Sequence, residues 1–262
     1  MNEVNKTLYI PLYGKALVSR KGIILQDKKA EEIWAAEGFP LGARSRSKWL
    51  AYTMGMRSAV FDAWVKRQLE ETPDAVVLHI GCGLDSRILR TGAKSLWYDV
   101  DFPDVISERR RFYEETENYH MLTGDAREAD WLEEIPRCEN ALVVLEGVSM
   151  YLRPAERKAL LRRLAAHFKT VHLLADCYTV FAAKASKYKN PINEVGVSEV
   201  FGMDDPMELA GDTGFSFVRE HDMAPEELAG QLKGSEKAIF RLVYGGRMAK
   251  KLYRLYEYRA VR

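Results

Sequence analysis

The chain has 262 residues, a net charge of +1 and 47% apolar residues. That balance supports a sizeable core, excludes a disordered composition, and creates no overall field to recruit nucleic acid or an acidic membrane. Three scattered cysteines, Cys82, Cys138 and Cys177, suggest neither a disulfide framework nor a metal site; with no signal-like start and no apolar run of about 18 residues, the expectation is a cytoplasmic protein without a membrane span.

Residues 1–70 read as a helical N-terminal cap. Glu31–Ala36 and Ser58–Lys66 carry apolar residues at helical spacing, and Val60, Phe61, Trp64 and Val65 form one core-facing stripe. From about residue 75 the pattern changes. Ala75–Ile80, Ser95–Val100, Glu139–Glu146 and Thr170–Tyr178 are short, nearly continuous apolar runs, as expected of strands covered on both faces. Pro154–Phe168 reads as a helix that starts on its proline and buries Leu160, Leu161, Leu164 and Phe168. Strands alternating with helices predict an α/β fold with a mostly parallel sheet. Residues 179–214 read as a lid or loop insertion. Phe215–His221 and Lys251–Val261 alternate with period two and predict a closing strand pair around a helix near 225–240. The whole is expected to be one domain, with the core spanning 71–262.

Four strand-end motifs carry chemistry. Gly81-Cys82-Gly83-Leu-Asp85 follows a buried strand, and its glycines let backbone approach a ligand closely. The third glycine of the dinucleotide pattern is missing, which leaves a pyrophosphate poorly provided for. A tight turn with no ligand is the bland alternative. Asp101, twenty residues after Gly81, stands near the spacing at which an acid accepts from ribose hydroxyls. Its alternative is a solvated loop acid; Asp99, in the same strand, is the weaker candidate. Asp125 in Gly124-Asp-Ala126-Arg suits an adenine amine or, equally, a helix N-cap. Glu146 and Tyr151 sit at the carboxyl end of the next long strand, where ligands of open α/β sheets bind; Glu146 could instead cap a helix.

Together, Gly81-Cys-Gly-Leu-Asp-Ser-Arg87, Val100-Asp-Phe-Pro-Asp-Val-Ile106, Glu146-Gly-Val-Ser-Met-Tyr-Leu152 and Ile10-Pro-Leu-Tyr-Gly-Lys-Ala-Leu17 resemble the leucine carboxyl methyltransferase family, and within it the bacterial polyketide O-methyltransferases of the tetracenomycin type. The resemblance runs over roughly residues 7–220. It implies a Rossmann-like class I methyltransferase sheet and S-adenosylmethionine as cofactor. It further implies that Gly81, Cys82, Gly83 and Asp85 line the methionine and ribose portion, that Asp101 and Phe102 take the ribose side, and that Asp125 and Ala126 border the adenine. Glu146 falls near the methionine end, and Arg57 and Lys15 grip the cofactor carboxylate. Where members often have Asp-Leu-Arg, this chain has Asp125-Ala-Arg, which makes the implied adenine pocket roomier.

A carboxylate with a pKa of about 4 is already ionised at neutral pH, so methyl transfer to it asks only for positioning; a phenol near 10 asks for a base. No histidine falls in the four motifs, and His79 and His172 read as core residues. The expectation is an O-methyltransferase acting on the carboxylate of a small, polyketide-like acid, with Tyr151 at the reaction zone. Arg20, or its neighbours Lys21, Arg44 and Arg46, is expected to pair with that acid. Competing readings are methylation of a phenolic hydroxyl, a nicotinamide oxidoreductase, and a cofactor-binding protein without catalysis.

Overall fold

The computed structural model describes residues 5–37, 41–128, 130–186, 199–245 and 249–262, and every structural statement below refers to these. The four apolar runs form strands β1 (Val76–Ile80), β2 (Trp97–Asp101), β4 (Asn140–Leu145) and β5 (Thr170–Tyr178); a fifth strand, β3 (Tyr119–Thr123), lies at the sheet edge, and all five are parallel. They are mostly apolar because both faces of the sheet are covered. Val76, Leu78 and Ile80 pack on one side with Val143, Leu173 and helix residues Leu160, Leu161 and Leu164. Val77, Leu142, Val144 and Leu174 turn to the other side, against Leu12, Ile33, Phe61 and Trp64.

The strand order is β3-β2-β1-β4-β5-β7-β6. The chain winds outward from β1 through β2 to β3, then returns to place β4 and β5 on the other flank. The carboxyl ends of β1 and β4 therefore flank the switch point where ligands of such sheets bind. The last strands, β6 (Phe215–His221) and β7 (Tyr253–Val261), form the expected pair, but β7 inserts between β5 and β6, antiparallel to both.

Helices α1 (Tyr9–Arg20), α2 (Lys28–Glu37) and α3 (Lys48–Glu71) form the N-terminal cap, with α3 beginning ten residues before the Ser58–Lys66 segment that announced it. Gly14 permits the close approach of α1 to α3: a Cβ there would lie 2.9 Å from the Met54 Cβ. The core adds α4 (Arg87–Thr91), α5 (Pro103–Arg109), α6 (Pro154–His167) and α7 (Val180–Ala185), and the expected helix between the closing strands is two, α8 (Glu226–Ala229) and α9 (Gly234–Val243). Of the 179–214 insertion, residues 187–198 lie outside the described residues; Gly202 returns to bridge Tyr178. No described helix is long and apolar enough to cross a membrane.

Candidate functional site

After β1 the backbone turns sharply through Gly81 and Gly83, with φ values of 70° and 52°. Any Cβ on Gly81 would collide with Val148 from the loop after β4. Glycine is therefore required here by conformation and by space. The turn leans on β2: the Gly81 N–H donates to the Val100 carbonyl at 2.7 Å. Arg109, on α5, reaches back to donate to the Gly83 carbonyl at 2.9 Å.

Asp101 closes the turn from the side. Its two carboxylate oxygens accept from the Gly83 N–H at 2.7 Å and the Phe102 N–H at 2.8 Å. Burial nevertheless outweighs those bonds and pushes its pKa from 3.8 to about 6. An anion so poorly solvated gains from further donors, such as a pair of vicinal hydroxyls. Asp99, two residues earlier on the same face of β2, is fully buried against Arg109 and the Tyr119 hydroxyl, so it fastens β2 to α5 and β3.

Beneath the turn lies a buried lattice of charge. Lys15 of α1 meets Asp85 at 2.5 Å, and Asp85 also meets Arg90 at 2.8 Å. Arg90 and Arg87 share Asp62, and Arg90 reaches Asp27 at 2.7 Å. Arg87 also holds Glu146, whose carboxylate accepts from Arg57 at 3.1 Å; Arg57 bridges on to Asp176 at 2.7 Å. Burial raises the pKa of Glu146, but Arg87 and Arg57 more than offset this and hold it at about 2. Burial likewise opposes Asp85, whose cations keep it well below the carboxylate range. The lattice counts four cations against five carboxylates, so with all of them ionised one negative charge is uncompensated.

Lys15, Arg57, Asp85 and Glu146 of this lattice border a cavity of about 630 Å³. All eleven residues assigned from sequence to the cofactor line it, from Lys15 and Arg57 through the glycine turn to Glu146, and so does Tyr151. Neither Glu146 nor Asp125 caps a helix: Glu146 belongs to the lattice, and Asp125 accepts from the Arg127 N–H at 2.9 Å, within a turn. The Arg127 guanidinium pairs with that same carboxylate. Arg20 is not brought to the cavity. It is exposed, and its guanidinium contacts the Glu31 carbonyl at 3.4 Å. Lys21 turns to the Tyr52 hydroxyl, and the exposed Arg46 is likewise absent from the lining.

Sequence reasoning missed Tyr178 and Tyr253, which line the cavity beside Tyr151. Their rings meet edge to face at 4.6 Å, and their hydroxyls are hydrogen-bonded. Burial pushes the pKa of all three phenols up, leaving them protonated at neutral pH. Both were visible at strand ends, but only the β5–β7 pairing, which sets Tyr178 opposite Tyr253, brings them together. Asp176 and Arg87 were also passed over, although Arg87 closes the glycine motif itself. His79 is buried as expected, with Nδ1 3.2 Å from Asp99, and burial depresses its pKa.

A parallel sheet of order 3-2-1-4-5 extended by an antiparallel β7, with a glycine turn after β1 and an acid at the end of β2, defines a class I methyltransferase fold. Comparison with known proteins agrees. The model of the leucine carboxyl methyltransferase family matches residues 3–165, and the chain belongs to that family. It is 32% identical over 240 residues to the tetracenomycin polyketide synthesis O-methyltransferase TcmP of Streptomyces glaucescens, covering 90% of this chain and 89% of that one. It is also 32% identical over 184 residues to the S-adenosyl-L-methionine-dependent methyltransferase dpfgK of Gibberella zeae, covering 63% of this chain and 61% of that one. Among solved structures, magnesium protoporphyrin IX methyltransferase from Synechocystis PCC 6803 with bound SAH shares the fold, with a TM-score of 0.54 at 14% identity over 89% of this chain and 93% of that one.

Proposed function

We propose that this protein moves the methyl group of S-adenosylmethionine to a carboxylate oxygen of a small-molecule acid. The observation that carries the reading is the division of the cavity into a charged end and a phenolic end. The charged end suits the cofactor. Asp101 offers its underused carboxylate to the ribose hydroxyls, and Phe102, Asp125 and Ala126 continue the wall toward the adenine. Arg57 and Lys15 provide cationic partners for the amino-acid carboxylate, and Glu146 and Asp85 face its ammonium. S-adenosylmethionine bears a sulfonium, an ammonium and one carboxylate, a net positive charge that complements the surplus negative charge of the lattice.

When bound, the sulfonium supplies an activated methyl group and a neutral thioether leaving group. The protein's share of the work is positional. Tyr151, Tyr178 and Tyr253 stay protonated; Tyr178 donates to Tyr253, which leaves the Tyr151 and Tyr253 O–H groups to steady an oxygen anion that already exists. Phenols held in that state do not withdraw a proton from an acceptor. A carboxylic acid, ionised at neutral pH, needs no such withdrawal. One lone pair of its oxygen forms the new O–CH₃ bond in line with the breaking CH₃–S bond, whose electrons return to sulfur.

The test is a radiolabelled methyl-transfer screen over carboxylic acids, phenolic polyketides and peptides, followed by alkali. Volatile labelled methanol from the acids is the expected result, since esters hydrolyse and aryl ethers do not. Alkali-stable label on the phenols alone would overturn the carboxyl assignment, and label on peptides alone would overturn the small-molecule one.

A further inference from the structure

A second cavity of about 350 Å³ adjoins the first. It is framed by α3, the end of α9, the start of β7 and Met223 from the loop after β6. Leu50, Leu252 and Tyr253 line both cavities. The shared wall therefore lies at the phenolic end, and neither Asp101 nor Asp125 borders the second space. Its volume falls within the roughly 300–1,000 Å³ usual for small-molecule sites.

Its lining has a definite chemistry. Arg44 is the one charged residue on it, Ser47 and Thr53 add hydroxyls, and no carboxylate is present among its described residues. Tyr244 is fixed by stacking on Trp49 and Phe240, each with a centroid separation of 5.7 Å. Tyr253 is fixed by its edge-to-face contact with Tyr178. At the mouth, Val243 and Leu252 remain 45% and 40% exposed, apolar surface that an occupant would remove from water.

Resting on the methyltransfer reading above, we propose that this chamber holds the body of the acceptor. The acid group sits at the three phenols, and a flat, ring-bearing, uncharged or anionic body passes Tyr253 into the second space, over Tyr244 and under Arg44. A cationic body is disfavoured there, because Arg44 repels it and no carboxylate answers it.

The test uses two acids of the same headgroup, benzoate and anthracene-2-carboxylate, with the full-length protein and S-adenosylhomocysteine present. Anthracene fluorescence reports binding directly and benzoate is read by competition. Thr53→Phe fills the chamber from α3, and Val243→Trp covers its exposed mouth; neither residue lines the first cavity. The wild type should prefer the larger acid by about tenfold or more, as expected when apolar surface enters a fitted pocket. Both variants should lose that preference while binding S-adenosylhomocysteine and benzoate normally, which also shows that they fold. Equal affinities in the wild type, an anthracene affinity untouched by both substitutions, or equal loss of both acids would overturn the chamber. Transfer is scored separately. If the larger acid binds as described but no alkali-labile ester forms, the carboxyl reading fails and the chamber stands. If esters of both acids form equally well in wild type and variants, the chamber fails and the reading stands.

Discussion

On the side of the cavity made by the ends of β1, β2 and β4, position is set by backbone and by ion pairs. Gly81 has no room for a side chain, Asp101 is pinned by two N–H donors, and Arg57, Arg87, Arg90 and Lys15 are each held by at least one buried carboxylate. On the side made by the end of β5, the start of β7 and the turn at Ser149–Tyr151, position is set by rings and apolar packing. The difference follows from what each side is proposed to hold. A charged ligand of fixed shape rewards a rigid, preorganised field, whereas an apolar acceptor is selected by the shape of its walls. It also implies unequal sensitivity: the first side is a single coupled network, and the second is a set of separable contacts.

The most forceful way to break that contrast is Arg57→Met. The substitution keeps the length of the aliphatic stem but removes the charge, and so takes away the guanidinium that Glu146 and Asp176 share. Stranding buried carboxylates in this way should cost about 3–5 kcal/mol of folding stability, read as a lowered midpoint in denaturant unfolding. A loss under about 1 kcal/mol, the size of an exposed ion pair, would mean that the lattice is slack and the two sides are not built differently.

The same contrast explains what could be read from the sequence. β1, β2, β4 and β5 announced themselves because strands covered on both faces are apolar at most positions, and Thr170–Tyr178 matched the observed strand end to end. The cofactor-side residues were legible because they cluster within short stretches, each at a strand end, where spacing alone carries meaning. Lys15 and Arg57 came only from family resemblance, since α1 and α3 approach the turn from far along the chain. Tyr253 lies 75 residues beyond Tyr178, and no local pattern could foresee that β7 would insert beside β5. Arg20 failed for a different reason: its charge pointed to an acid, but its place at the end of α1 directs it to Glu31.

Tyr253→Phe sharpens the contrast from the opposite side. It removes one hydroxyl and keeps the ring that packs on Tyr178. Because that contact is separable, kcat/KM for the acceptor should fall about fivefold, the worth of one hydrogen bond near 1 kcal/mol, while cofactor affinity measured by calorimetry stays unchanged. A parallel loss of cofactor affinity would show that the phenols belong to the charged network after all.

The smallest effect is a protonic one, and it isolates Asp101. Burial lifts this carboxyl from 3.8 to about 6 in the free protein. Ribose hydroxyls donate to the ionised form, so cofactor binding must pull the pKa back down and expel a proton whenever the free group is partly protonated. Affinity should therefore drop about twofold between pH 7 and pH 6, and more steeply below, as the free group takes up its proton. Folding stability carries the opposite sign. The raised pKa means that the folded chain binds more protons than the unfolded one between about 4 and 6, so this group's contribution declines as pH rises through that window. Calorimetry at pH 6 in two buffers of different ionisation enthalpy counts the released proton, and Asp101→Asn should abolish both the release and the pH dependence. An affinity that is level from pH 7 to pH 6 in the wild type would remove Asp101 from the ribose position, because hydroxyl donors favour the ionised carboxylate and so link binding to loss of its proton.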